Sequence, residues 1–170
     1  MAYPSVYPTS TTIFEPDCTY GGYTLFTTTL GRQSAIVLID MNGNLVKVWE
    51  GIAGSPAKML PGGFVLGRTG IRNPRYGVQD GLDVIQVDWD GNVVWKFAKY
   101  QRVKDPRSKA IWMARQHHDL QREGSPVGYY APGQDPVIAN GKTLLLCHKD
   151  IEQPRISPHK LMDDTIIEVS

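Results

Sequence analysis

Two segments of this chain repeat one another without a gap, 48 residues apart. The first is Ile36–Val46 and the second is Val84–Val94. Each contains a β-branched run, an aspartate (Asp40 or Asp88), an Asn-Gly or Asp-Gly pair, and a second β-branched run. The Gly-containing pairs tolerate the positive φ of a tight hairpin turn, and Val and Ile suit a pleated surface. The repeat therefore predicts two equivalent β-hairpins, in which each aspartate accepts hydrogen bonds from turn amides.

Further copies of the same elements follow along the chain. Thr165–Val169 matches Asp83–Val87 at an offset of 82, so 34 residues are inserted between them, and the polar stretch at about 100–136 is the expected host. Residues 59–66 and 137–146 each indicate a strand, a tight turn and another strand. Two hairpins per period give four strands, which matches a propeller blade with a period of about 40–50 residues.

The predicted fold class is all-β, with β-propeller blades of four antiparallel strands. The 170 residues provide about three and a half blades of a six-bladed propeller, and propellers close with four to eight blades. We expect an N-terminal extension (1–21) and a partial propeller domain (22–170) with an inserted loop at about 100–136. The remaining blades would come from a missing C-terminal part or another chain. A small β-sandwich is the alternative, and Ser108–Gln121 has room for one short helix at most.

Composition and charge exclude several classes of function. Lys and Arg number 18 against 17 Asp and Glu, so nothing favours nucleic acid or an anionic membrane as a partner. No apolar stretch reaches the roughly 20 residues that span a bilayer, and the N-terminus lacks the features of a secretory signal. Cys147 follows an apolar run and is predicted to be a buried thiol, although a disulfide with Cys18 stays open. We predict a cytoplasmic location.

The hairpin pattern, the Leu-Pro-Gly-Gly turn and a following His-His-Asp resemble the arylsulfotransferase family. The resemblance spans roughly Gly22 to Ser170. The feature that favours this family over other propellers is the His-His-Asp-Leu motif at 117–120, placed before the Asn-Gly-Lys-Thr-Leu-Leu-Leu segment at 140–146. The resemblance implies a histidine-lined central funnel in which a sulfuryl group passes from an aryl sulfate ester to a phenol by a ping-pong route. A histidine would carry the group covalently, while other His and Arg residues orient the ester. No cofactor is expected.

Five residues are candidates for this site. The resemblance aligns His117 and His118 with the family's first funnel histidine, which would bind substrate or act as an acid, and the nucleophile would fall in later blades. Side chains of successive strand residues point to opposite faces, so only one of the pair can face the funnel. Asp119 either orients an imidazole or stabilises a turn. Arg115 either binds a sulfate oxygen or is solvated, and His148, at a strand end, is a candidate to line the funnel.

Other polar residues have simpler predicted roles. No metal is expected, because the consecutive residues 117–119 cannot converge on one ion and no second cluster has ligand spacing. His159, in a Pro-rich loop, is expected to face solvent. The basic residues of the inserted loop would cap the funnel, reach another subunit or simply be solvated; they are Lys99, Arg102, Lys104, Arg107, Lys109, Arg115 and Arg122.

The expected partners are a small aryl sulfate or phenol and the remaining propeller blades, with a homo-oligomer left open. Trp49, Trp95 and Phe97 are expected to pack between blades. A non-catalytic propeller that binds or assembles other molecules is the alternative function, since propellers host many unrelated functions. A quinone-cofactor oxidoreductase is weaker, because neither cofactor-stacking tryptophans nor a metal site is visible.

Overall fold

The computed structural model describes residues 15–72, 75, 80–125, 135 and 137–170. Their strands pair antiparallel throughout and form four sheets, none of which closes on itself within these residues. The first sheet contains β1 (Tyr23–Leu30), β2 (Gln33–Asp40) and β3 (Leu45–Glu50); the second contains β4 (Ala53–Met59), β5 (Val65–Arg68), β6 (Val84–Val87) and β7 (Val93–Phe97). The third contains β8 (Gln101–Val103) and β9 (Ile111–Met113), and the fourth contains β10 (Gln116–Arg122), β11 (Thr143–Ile151) and β12 (Leu161–Val169).

The all-β prediction is confirmed, but four strands per sheet is the exception. In the described part of the chain, only β4–β7 form a four-stranded sheet, and they do so in sequence order. No α-helix occurs among the described residues, which include two single 3₁₀ turns, at Pro16–Cys18 and Pro61–Gly63. No helix in the described part of the chain is long and apolar enough to cross a membrane.

The two predicted hairpins are present as β2–β3 and β6–β7. The Asp40 Oδ1 atom accepts hydrogen bonds from the backbone N–H groups of Asn42 and Asn44, at 2.9 and 2.8 Å. In the second hairpin, Asp88 Oδ1 accepts from the Asn92 N–H at 2.8 Å. In both turns the asparagine side-chain amide also binds the aspartate, and these bonds lower the pKa of each aspartate. The predicted role of the two aspartates is confirmed.

The inserted segment at about 100–136 is not a loop throughout, because β8, β9 and β10 lie within it. β8 pairs with β9, and each strand buries one apolar side chain, Val103 on β8 and Met113 on β9. Removal of these side chains from water stabilises the pair of strands. No helix occurs in 108–121. Residues 126–134 and 136 lie outside the described part of the chain, as do residues 1–14 of the N-terminal extension.

The strand, turn and strand predicted for residues 137–146 are only partly present. The second predicted strand is present as the start of β11, but 137–140 form no strand. The Arg122 guanidinium takes the carbonyl oxygens there: Nη2 donates to Ile138 at 2.9 Å and Nη1 donates to Gly141 at 3.1 Å. These carbonyls bind a side chain instead of a neighbouring strand.

Two apolar cores lie on either side of the second sheet. Strands β5 and β6 alternate between them: Val65 and Ile85 enter the first core, while Leu66 and Val84 enter the second. The first core joins the first sheet to the second, and its remaining buried members are Ile36, Leu38, Trp49, Ile52 and Val87. The second joins the second sheet to the fourth, with Leu60, Ala114, Leu120, Leu145 and Cys147 buried and Trp95 and Phe97 packed against them. The predicted aromatic packing between sheets is confirmed.

The two cysteines are free thiols with opposite environments. Cys147 is wholly buried, as predicted, and burial raises the pKa of its thiol to about 12, whereas Cys18 is exposed. We expect the native protein to react with one equivalent of a thiol reagent, at Cys18, and with a second only after unfolding. Mass spectrometry of the labelled protein measures this. Fast labelling of a Cys18→Ser variant in native buffer would contradict the burial of Cys147.

Candidate functional site

Three neighbouring strands of the fourth sheet bring together the side chains of His117, His148 and Asp164. His148 on β11 and Asp164 on β12 are direct partners in the strand register. His117 lies on β10, which pairs with β11. Just before β10, the carbonyl of Arg115 accepts a hydrogen bond from the backbone N–H of His148 at 3.0 Å, so His117 and His148 are neighbours across the two strands. Residues far apart in sequence thus meet because the sheet pairs them.

The imidazoles of His117 and His148 stack on one another. Their ring centroids are 3.7 Å apart, with an angle of 20° between the planes. The His117 side chain is only 3% exposed, and burial, together with the neighbouring His148, lowers its pKa, which favours the neutral imidazole. Neither ring nitrogen of His117 has a hydrogen bond within the described residues, although Nε2 lies 3.2 Å from Asp164 Oδ1.

A buried carboxylate orients the second imidazole. The Asp80 side chain is fully buried, and its Oδ1 contacts His148 Nδ1. Its Oδ2 accepts from Arg115 Nε at 3.0 Å and lies 3.3 Å from Arg72 Nη1. Because a carboxylate accepts hydrogen bonds, Nδ1 of His148 is the nitrogen that donates to Asp80, and the tautomer with its proton on Nδ1 has a lone pair on Nε2.

Arg115 is part of this support. Its side chain is 0% exposed, so the solvated alternative is wrong. Besides Asp80 it binds Asp150, with Nη1 at 2.6 Å from Oδ1, and the Gln101 side chain. Two carboxylates offset the cost of burying its charge. Its predicted contact with a sulfate oxygen stays a prediction.

His118 does not lie on the face opposite to His117. Its ring centroid is 5.1 Å from that of His117, with the planes at 85°. The strand register shifts between Gln116 and Leu120, and His118 has φ of 53°, so the backbone there departs from the regular alternation. Of the two histidines, His117 is buried and His118 is exposed.

Asp119 does not orient either imidazole of the stacked pair. Its Oδ1 is 2.7 Å from the Lys58 Nζ atom, and it also accepts from the Leu120 backbone N–H at 2.7 Å. The opposite charge of Lys58 holds the carboxylate, and Asp80 has the orienting role that the sequence suggested for Asp119.

No sequence pattern pointed to Asp80 or Asp164 as site residues. Asp80 precedes Gly81, a dipeptide typical of turns, and Asp164 follows another aspartate near the start of β12. Only contacts between segments distant in sequence reveal their places: Asp80 is buried against the His148 side chain, and Asp164 lies opposite His148 in the strand register.

The basic residues of the inserted segment divide into two groups. Arg122 is buried, and its guanidinium lies 4.4 Å from the centre of the Trp95 ring, which packs against the second core. The expectation that this residue is solvated was therefore wrong, as it was for Arg115. The other basic residues are exposed: Lys99, Arg102, Lys104, Arg107 and Lys109. His159 is exposed too, which confirms the expectation for that histidine.

Comparison of the chain with protein-family models, with curated proteins and with solved structures gives no significant match. The resemblance to arylsulfotransferases therefore rests on the motifs of this chain alone.

Proposed function

We propose that this chain is part of a propeller that transfers a sulfuryl group from an aryl sulfate ester to a phenol, at the stacked pair His117 and His148. The observation that carries the proposal is the orientation of His148 by the buried Asp80, which leaves Nε2 as the free nitrogen. Successive antiparallel sheets that share apolar cores support the propeller, because blades pack face to face in this way.

His148 has the properties of a nucleophile for this reaction. Its side chain is 12% exposed, so a substrate can approach, and the carboxylate at Nδ1 stabilises the positive charge that develops when Nε2 attacks. The N–S bond forms as the ester S–O bond breaks and the first phenolate leaves. This assignment differs from the expectation that the nucleophile falls in later blades.

His117 is suited to the proton transfer that completes the cycle. Its neutral imidazole takes the proton of the acceptor phenol, whose oxygen then attacks the sulfur. The N–S bond breaks, His148 is restored, and His117 releases its proton to solvent, which balances the proton that the departed first phenolate takes up from solvent. The products are a new aryl sulfate and a free phenol, so atoms and charge balance.

A histidine-to-asparagine exchange tests the proposal. His148→Asn retains an N–H donor for Asp80 but lacks Nε2, so we expect turnover to fall by about 10²–10⁴-fold. The assay is release of nitrophenolate from p-nitrophenyl sulfate in the presence of a phenol acceptor. His159→Ala, at an exposed histidine, is the matched control and should keep wild-type turnover.

Two results would contradict the proposal. Wild-type turnover in His148→Asn would remove His148 from the reaction. Absence of acceptor-dependent release by the wild-type protein would remove the sulfuryl transfer itself, and the scaffold function would then take its place.

A further inference from the structure

The proposed transfer makes no use of Asp164, although this carboxylate stands beside both imidazoles. Its Oδ1 atom is 3.2 Å from His117 Nε2 and 3.6 Å from His148 Nε2. A carboxylate in this place repels a sulfate ester. A cation bound between the three groups would turn this repulsion into a favourable interaction.

The spacing of the three groups suits a small divalent ion. One ligand atom from each of the three side chains lies within 4.8 Å of the others. Tetrahedral zinc, with bonds of about 2.0–2.1 Å, separates its ligand atoms by about 3.4 Å, close to the distances between Asp164 and the two imidazoles. We propose that His117, His148 and Asp164 bind a zinc ion.

The surroundings of the two histidines support a metal independently of this spacing. His117 is buried with both ring nitrogens lacking a hydrogen bond within the described residues, which costs free energy unless a ligand pairs with one of them. Metal binding requires the His117 ring to turn from the stack so that a lone pair faces the ion, and no hydrogen bond from the described residues opposes this turn. His148 donates its other nitrogen's proton to Asp80, and metal-binding histidines are typically held by a carboxylate in this manner.

The ligand set selects the kind of metal. Two imidazoles and one carboxylate suit zinc, whereas magnesium and calcium take oxygen ligands almost exclusively. Three protein ligands leave the fourth position of the tetrahedron to water. The Asp164 side chain is 66% exposed, so that position opens towards solvent.

Zinc occupancy and sulfuryl transfer exclude one another, because both need the lone pair on His148 Nε2. We expect added zinc to inhibit turnover, and this consequence rests on the proposed function. Zinc binding itself does not, since it depends only on the three side chains.

Metal titration of chelator-treated, metal-free protein tests the site. Calorimetry with Zn²⁺ should give one ion per chain, and Co²⁺ should produce the intense visible absorption of a tetrahedral site. Asp164→Asn should weaken Zn²⁺ binding by at least about tenfold, and His117→Ala by at least about a hundredfold. The matched controls Asp163→Asn and His159→Ala, both at exposed positions, should bind as the wild type does. Circular dichroism confirms that each variant is folded.

The outcomes separate this site from the proposed function. No Zn²⁺ binding by the wild type, or binding unchanged in folded Asp164→Asn and His117→Ala, would overturn the metal site and leave the transfer assay unaffected. If His117→Ala fails to fold, Asp164→Asn decides alone, since its side chain is exposed. One bound ion lost in these variants would support the site even if the protein transfers no sulfuryl group.

Discussion

Replacing Asp80 with alanine is expected to lower the free energy of unfolding by about 3–5 kcal/mol. The Asp80 side chain is fully buried and holds the cationic groups of Arg115 and Arg72 together with the His148 ring. Without it, the buried Arg115 charge keeps Asp150 as its one acidic partner among the residues that the structure describes. A buried charge that loses its partner is among the largest single-residue penalties in a folded protein.

Urea unfolding followed by circular dichroism measures this loss. Asp80→Asn separates charge from shape, because asparagine has nearly the same volume but cannot neutralise Arg115, so it should also be strongly destabilised. Asp163→Ala, at an exposed aspartate, is the control and should stay within about 0.5 kcal/mol of the wild type. An Asp80→Ala protein as stable as this control would show that the buried network contributes nothing.

The features predicted correctly from the sequence are those that depend on neighbouring residues. The turns at Asp40 and Asp88 each contain an acceptor, a glycine with positive φ and an asparagine within five residues, so the hairpins can be identified without knowledge of the rest of the chain. The burial of Cys147 likewise follows from the apolar run before it.

The features that were missed depend on pairing between distant segments. Strand β8 pairs with β9 although charged and Pro residues lie between them, so the polar composition suggested a loop. Arg115 and Arg122 look solvated in sequence, because the carboxylates and carbonyls that satisfy them are 15 to 35 residues away. The contact of His117 with His118 follows from a backbone irregularity that periodicity cannot show.

The candidate site combines both kinds of information. Three of its histidines were candidates from the sequence: His117 and His118 through the resemblance to arylsulfotransferases, and His148 from its place at the end of an apolar strand. The sequence offered Asp119, the nearest in sequence, as one candidate for the orienting carboxylate, whereas Asp80 reaches His148 from another part of the chain. Local proximity in sequence is a poor guide here, since the three strands of the fourth sheet come from separate segments.

Trp49 is expected to contribute nearly as much stability as Asp80, by joining the first sheet to the second. Its side chain is buried within the first core, and its ring meets Trp89 edge to face at 5.5 Å between centroids. Its indole Nε1 donates to the Asp88 carbonyl, in the turn of the next hairpin, at 3.1 Å. Replacement with alanine removes these contacts and leaves a cavity, which should cost about 3–5 kcal/mol.

Two further variants identify which of these contacts matters. Trp49→Phe keeps most of the apolar packing but loses the hydrogen bond, so its cost should be well below that of Trp49→Ala. Trp89→Ala removes the partner ring, which is 41% exposed, and should also cost less. The measurement is urea unfolding by circular dichroism, because fluorescence would change with each tryptophan removed. If Trp89→Ala were as damaging as Trp49→Ala, the edge-to-face contact between the two rings would hold the first two sheets together, rather than burial of Trp49 in the core. The stabilising group of the second hairpin would then be Trp89 in its turn, and not the apolar residues of its strands.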